Sequence, residues 1–261
     1  MTVTKTQGTN WTSPFIKGLF VLSCLQVLLV LLANMQGDSK SRAIILMASG
    51  LWLFWVLGFG LVSWRLRDQA KLLFDQIPGN PFLKFFLFAV GLLLLEEAVT
   101  TTMTNLAPLF GSRIGEAYIT GSANYLEVVM WHSVVVLWPA YAAWALVMRK
   151  VDFHPNAVFL FYGLQGVTAE AMHSGPAQLM AFPFWIFIYG LMVYLPAWCL
   201  HGSGERPSAK GRHYAAVFLL TLLLTIRDGV LHDKTAACCR FALDATQADR
   251  LAAMSIQQVM A

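Results

Sequence analysis

The sequence predicts an all-α protein: a polytopic membrane helix bundle of about seven transmembrane helices with a cytoplasmic N-terminus. Three observations carry this expectation. Only 12% of residues are charged while 57% are hydrophobic. A soluble domain carries about 25% charged residues, so lipid must cover much of this surface. Apolar runs of membrane-crossing length, about 20 residues, recur along the chain and are separated by short turn-forming segments. Basic residues gather in alternate segments, as the positive-inside rule requires.

The helices are expected at Gly18–Met35, Ala43–Trp64, Phe82–Thr104, Leu126–Met148, Asn156–His173, Ala177–Leu200 and Tyr214–Leu231. The third, fifth and seventh carry ionisable residues within otherwise apolar runs. The fifth is the shortest and most polar. Pro139, Pro183 and Pro196 mark kinks, because proline cannot donate to the helix ladder. The connections hold turn chemistry: Gly37-Asp38-Ser39, Pro78-Gly79-Asn80-Pro81, His154-Pro155-Asn156, Ser174-Gly175-Pro176 and Gly202-Ser203-Gly204. Short turns make sequence neighbours antiparallel. The longest connection, about Leu106–Tyr125, is expected to fold over the membrane surface.

With the N-terminus inside, Lys17, Arg65, Arg67, Lys71, Lys84, Arg149, Lys150, Arg206 and Lys210 all fall on the inner side. The outer loops hold only Lys40, Arg42 and Arg113. Two segments follow: a helix bundle over residues 1–232 and a C-terminal tail over 233–261, read as an amphipathic surface helix. The compartment expected is a bacterial plasma (inner) membrane. The formal charge of +4 fits loops near anionic lipid. No basic run with interleaved aromatics is present, which sets nucleic acid aside and leaves membrane lipid as the expected partner. Cys24 and Cys199 lie in apolar runs and read as small core residues, and Cys238-Cys239 as a free pair.

The residues that carry chemistry begin in the third helix. Glu96 and Glu97 end an apolar run. Glu97, Thr100, Thr101, Thr104 and Asn105 then fall at i, i+3, i+4, i+7 and i+8, one face of a helix. Glu96 points about 100° away. The fifth helix offers a matching face in Gly163, Gln165, Gly166, Glu170 and His173, and the seventh in Thr221, Thr225, Asp228 and His232. His132 sits near the start of the fourth. The orientation puts all these groups at one depth, in the outer half of the membrane, where they are expected to enclose one polar pocket capped by the long outer loop. Isolated, central carboxylates in this number would cost on the order of 10 kcal/mol, so they must be paired, protonated or wetted.

The expected catalytic set is Glu97, Glu96, His132, Glu170, His173 and Asp228. The expected metal set is His132, Glu170, His173 and His232, with zinc or iron as the ion, because Glu-x-x-His places both groups on one helix face. These sets describe an intramembrane hydrolase or metal-dependent enzyme acting on a lipid-like or membrane-embedded substrate. Two other readings stand beside it: a proton-coupled transporter or permease, since membrane carboxylates on polar stripes serve proton relays, and a non-catalytic membrane partner module. Glu96-Glu97 followed by His132 resembles the glutamate-dependent membrane proteases that process prenylated proteins, which carry EExxxR, FxxxH and a third histidine motif. Here the Arg position is Thr101, the Phe position is Val128, and no HxxxN or HxxxD follows. The resemblance covers two short motifs and carries no residue assignments over.

Overall fold

The turn segments of the sequence become helix caps. A computed structural model describes residues 12–221, 223 and 224. Asp38 starts α2 (Ser39–Gln76) by accepting from Ser41 N at 3.0 Å. Asn80 starts α3 (Pro81–Asn105), its side chain accepting from Phe82 N at 2.9 Å with Pro81 in the first turn. Asn124 does the same for α4 (Tyr125–Met148). His154 starts α5 (Pro155–Ser174), its Nδ1 accepting from Asn156 N at 3.2 Å. Each cap satisfies backbone donors that a helix start leaves without partners. Gly175, at φ 98°, turns the chain out of α5, and a 3₁₀ segment then leads into α6 (Phe182–Leu200). α1 spans Thr12–Asn34, and residues 211–221 form α7. Among the described residues there is no strand, only an isolated bridge between Asp152 and Ser208.

Four stretches are long and apolar enough to cross a membrane: Thr12–Asn34, Ser39–Gln76, Tyr125–Met148 and Pro176–Leu200. α1 exposes Val21, Leu22, Leu25, Leu28, Leu29 and Leu32. Monomers in water rarely show so continuous an apolar face. The chain is therefore an integral membrane protein.

α2 runs past its expected end near Trp64 to Gln76. Residues 65–76 contain no Gly or Pro and are rich in helix-favouring Arg, Leu, Lys and Gln. The 38 residues reach about 57 Å at 1.5 Å each, nearly twice a hydrocarbon core of about 30 Å. Its charged last turns therefore extend beyond the apolar layer. Two π-helical stretches interrupt the helices: Trp52–Phe59 in α2 and Val129–Ser133 near the start of α4.

α6 is the most buried helix and packs against α1, α2, α3 and α5. Its closest neighbour is α5. A Cβ on Gly163 would lie 2.6 Å from the Ile186 carbonyl oxygen, and one on Gly190 would lie 2.8 Å from that of Phe159. Only glycine lets the two backbones approach so closely. The tryptophans differ in burial. Trp64, Trp131 and Trp138 are exposed. Trp52, Trp55 and Trp144 are core residues whose indole N–H groups join helices. They donate to Ser23 Oγ (2.8 Å), the Ile188 carbonyl (3.0 Å) and Gln165 Oε1 (3.0 Å). A buried indole needs such an acceptor.

Candidate functional site

The polar stripe of α3 faces inward from Glu97 to Thr104, while Asn105 at its end is exposed. Glu96, Glu97, Thr100, Thr101 and Thr104 are all buried. Glu97 accepts from Ser133 Oγ of α4, and at 3.3 Å from Thr120 Oγ1 of the connection between α3 and α4. That connection also receives Asn105 Nδ2 on the Ala123 carbonyl at 2.8 Å. It therefore lies over the end of α3 and closes the site, as its length and glycines predict. Glu96, expected to point away, is equally buried. Thr100 Oγ1 donates to its Oε1 at 2.8 Å and to its carbonyl at 3.0 Å.

Glu170 joins this pair from α5. Tyr189 of α6 donates its hydroxyl to Glu170 Oε1 at 2.5 Å. Glu170 acts electrostatically on both Glu96 and Glu97, and all three carboxylates act on Tyr189. α3, α4, α5 and α6 thus each send a side chain to one cluster. Among the described residues no Lys, Arg or His lies within 4.0 Å of any of these carboxylates. Their partners are hydroxyl groups.

Behind the cluster, a cavity of about 20 Å³ is lined by Tyr162, Gln165, Gly166, Tyr189 and Thr221, among others. Thr221 of α7 faces inward, as its stripe predicts. The rest of that stripe, Thr225, Asp228 and His232, lies outside the described residues, as does the tail.

The histidines are placed differently from the carboxylates. His132 is exposed, and its ring packs on Gly121, where a Cβ would lie 2.9 Å from the imidazole Cδ2. Its neighbour Ser133 is the residue that reaches Glu97. The π-helical turn shifts side-chain phase here, and π-turns recur at functional sites. His173, one turn beyond Glu170, is exposed at the end of α5 and acts on Glu170 electrostatically. Of the expected metal set His132, Glu170, His173 and His232, the last is outside the described residues. Among the described residues no three His, Cys, Asp or Glu side chains are grouped to hold a metal ion.

Comparison with protein-family models, with curated proteins and with solved structures finds no match to this chain.

The sequence reading missed Ser133, Thr120 and Tyr189. Ser133 was detectable as a small polar residue in the apolar run Val128–Val136. Tyr189 carries no local signal, because its role depends on Gly166 of α5 lying opposite.

A second polar cluster, around Asp152, His154 and His201, occupies the other end of the bundle. Asp152, between α4 and α5, lies 3.0 Å from His201 Nδ1 and 3.1 Å from Arg206 Nη2. Burial pushes the Asp152 carboxyl up, but the His201 contact and the charges of His201 and Arg206 outweigh it and hold the group below its ordinary value. Burial, with His201 beside it, holds His154 below the usual imidazole range. Basic side chains here close helix ends. Lys71 Nζ donates to the Cys199 and His201 carbonyls at 2.8 and 2.9 Å, Lys84 Nζ to the Ile77 carbonyl at 2.9 Å, and Arg206 Nη2 to the Leu200 carbonyl at 2.8 Å. Cations at helix C-termini satisfy free carbonyls and complement the macrodipole. The basic bias that sets the expected orientation is thus also structural.

Proposed function

We propose that the Glu96–Glu97–Glu170 cluster binds and releases protons within the membrane, as the coupling site of a proton-coupled permease. The observation that carries this reading is the chemistry of the partners: Thr100, Thr120, Ser133 and Tyr189 all offer hydroxyls. A hydroxyl donates to a carboxylate and accepts from a carboxylic acid. A lysine, arginine or backbone N–H can only donate, and would leave the acid's own O–H without an acceptor. The cluster therefore keeps its hydrogen bonds in either protonation state, as a site that exchanges protons requires. A shared proton also relieves repulsion among three carboxylates that, among the described residues, have no Lys, Arg or His within 4.0 Å. The adjoining space of about 20 Å³ is room for about one water molecule, enough to carry a proton onward.

The test is proton flux in liposomes. Purified protein with an imposed pH gradient moves protons, and Glu97→Gln and Glu170→Gln each abolish the flux while preserving the folded protein. Equal flux in wild type and both variants defeats the proposal.

The reading takes the chain to cross a plasma membrane seven times with the N-terminus inside. It requires α3 to cross. In a cysteine-free background, Pro78→Cys and Glu116→Cys then label from opposite sides of the membrane. Labelling from the same side removes α3 as a spanning helix.

One contact favours a second reading, the intramembrane hydrolase. Ser133 Oγ donates to Glu97, an arrangement in which a carboxylate takes the proton of an attacking hydroxyl. Hydrolysis of a lipid ester lost in Ser133→Ala, with proton flux unaffected, selects this reading over the first.

A further inference from the structure

A cavity of about 360 Å³ opens between the first turns of α3 and the last turns of α4, at the end of the bundle opposite the carboxylates. Phe82 and Phe86 form one wall, Ala142 and Ala145 line the other side, and Asn80 and Arg149 stand at the mouth. The small alanines leave a trough between two helices. Its volume is that of a small-molecule site, yet its walls are apolar and face the surroundings of the bundle. The mouth lies where α3 begins and α4 ends, the level of the membrane surface.

The charge at the mouth is set apart by what the neighbouring cations do. Lys71, Lys84 and Arg206 are occupied with helix carbonyls, and Arg206 also with Asp152. Among the described residues the exposed Arg149 side chain has no hydrogen-bond or ion-pair partner. Its planar guanidinium suits two-point pairing with phosphate. The N-terminus of α3, with its positive dipole end, borders the same mouth. We propose that this trough binds one anionic phospholipid, its phosphate on Arg149 and one acyl chain between Phe82, Phe86, Ala142 and Ala145. A free phosphate has no use for the apolar trough, and a zwitterionic lipid brings a cation to a site that already has one. The site is independent of the carboxylate cluster.

The test is native mass spectrometry of the full chain released from detergent. Phosphatidylglycerol and phosphatidylcholine of identical acyl chains are supplied together. One phosphatidylglycerol is expected to stay bound in preference to phosphatidylcholine. Arg149→Gln reduces that retention by roughly fivefold to tenfold. Lys150→Gln, an adjacent exposed cation that does not line the trough, leaves it unchanged. Ala142→Leu, which narrows the trough without touching the charge, also lowers retention, and glycerol phosphate at millimolar concentration does not displace the lipid. Equal retention of the two lipids overturns the proposal, as do equal losses in Arg149→Gln and Lys150→Gln, or displacement by glycerol phosphate. Both arginine and lysine variants are read only as folded, monodisperse protein, so a folding defect does not pass for a binding defect.

Discussion

Replacing Gly166 by alanine tests whether packing between α5 and α6 holds the carboxylate site. The new Cβ would lie 2.1 Å from Tyr189 Cδ2, 2.2 Å from Cγ and 2.7 Å from Cβ. Carbon atoms rest at about 3.5–4.0 Å. Two of the three crowded atoms form the base of the ring, so turning the ring about its own axis does not clear them. Either α6 backs away or Tyr189 adopts another rotamer. Both movements take the tyrosine hydroxyl from Glu170, which it meets at 2.5 Å. Overpacking costs about 1–3 kcal/mol, and loss of a donor to a buried acceptor about 1–3 kcal/mol. The helix returns about 1 kcal/mol for exchanging glycine for alanine. The net loss is roughly 1–5 kcal/mol, or on the order of 10 °C in Tm at about 2–4 °C per kcal/mol. Gly91→Ala is the matched control. It lies in α3 with nothing within 4 Å of the added Cβ, so it gains helix propensity at no steric cost. Tm is read from tryptophan fluorescence in one detergent. Tyr189→Phe separates the lost hydroxyl from the clash. A Tm for Gly166→Ala at or above that of Gly91→Ala refutes the packing argument.

Other outcomes follow from the same geometry. Ser133→Ala removes a donor from buried Glu97 and lowers stability by about 1–3 kcal/mol, measured as a Tm decrease larger than that of exposed Ser39→Ala. The Asp152 cluster makes the protein acid-sensitive. Asp152 has a folded value below its ordinary one, so its contribution is complete above about pH 3.9 and is lost as pH falls through the folded value. His154 is also held below its ordinary value. The unfolded chain therefore binds the proton more readily, and stability begins to fall below about pH 6.5. Unfolding midpoints between pH 3 and 7 should fall in two limbs. His154→Gln should flatten the upper limb and Asp152→Asn the lower, and unchanged limbs in the variants would remove these groups as the cause. Lys71→Met leaves the Cys199 and His201 carbonyls without their cation and costs about 1–2 kcal/mol. Hydrogen exchange should then rise at the end of α6, and no local increase would deny the capping role.

The sequence by itself determined the class of the protein and much of its helix plan. Scarcity of charge, apolar length and turn chemistry are local or additive properties, so they can be read without neighbours. Asp38, Asn80, Asn124 and His154 act as caps because an N-cap bonds within three residues of itself. The inward stripe of Glu97, Thr100, Thr101 and Thr104 was legible from the helical period alone. Tertiary structure decided what meets that stripe. Ser133 reaches Glu97 through a π-helical turn that no periodicity announces, while His132 beside it packs on Gly121. Tyr189 reaches Glu170 only because Gly163, Gly166 and Gly190 bring α5 and α6 into backbone contact. The same holds at the opposite end, where Asp152 comes from one connection and His201 and Arg206 from another, and they meet by helix packing. Spacing along one helix specifies a face. Which side chain of another helix stands opposite depends on the distance and rotation between helices, and those are set by contacts far apart in the chain.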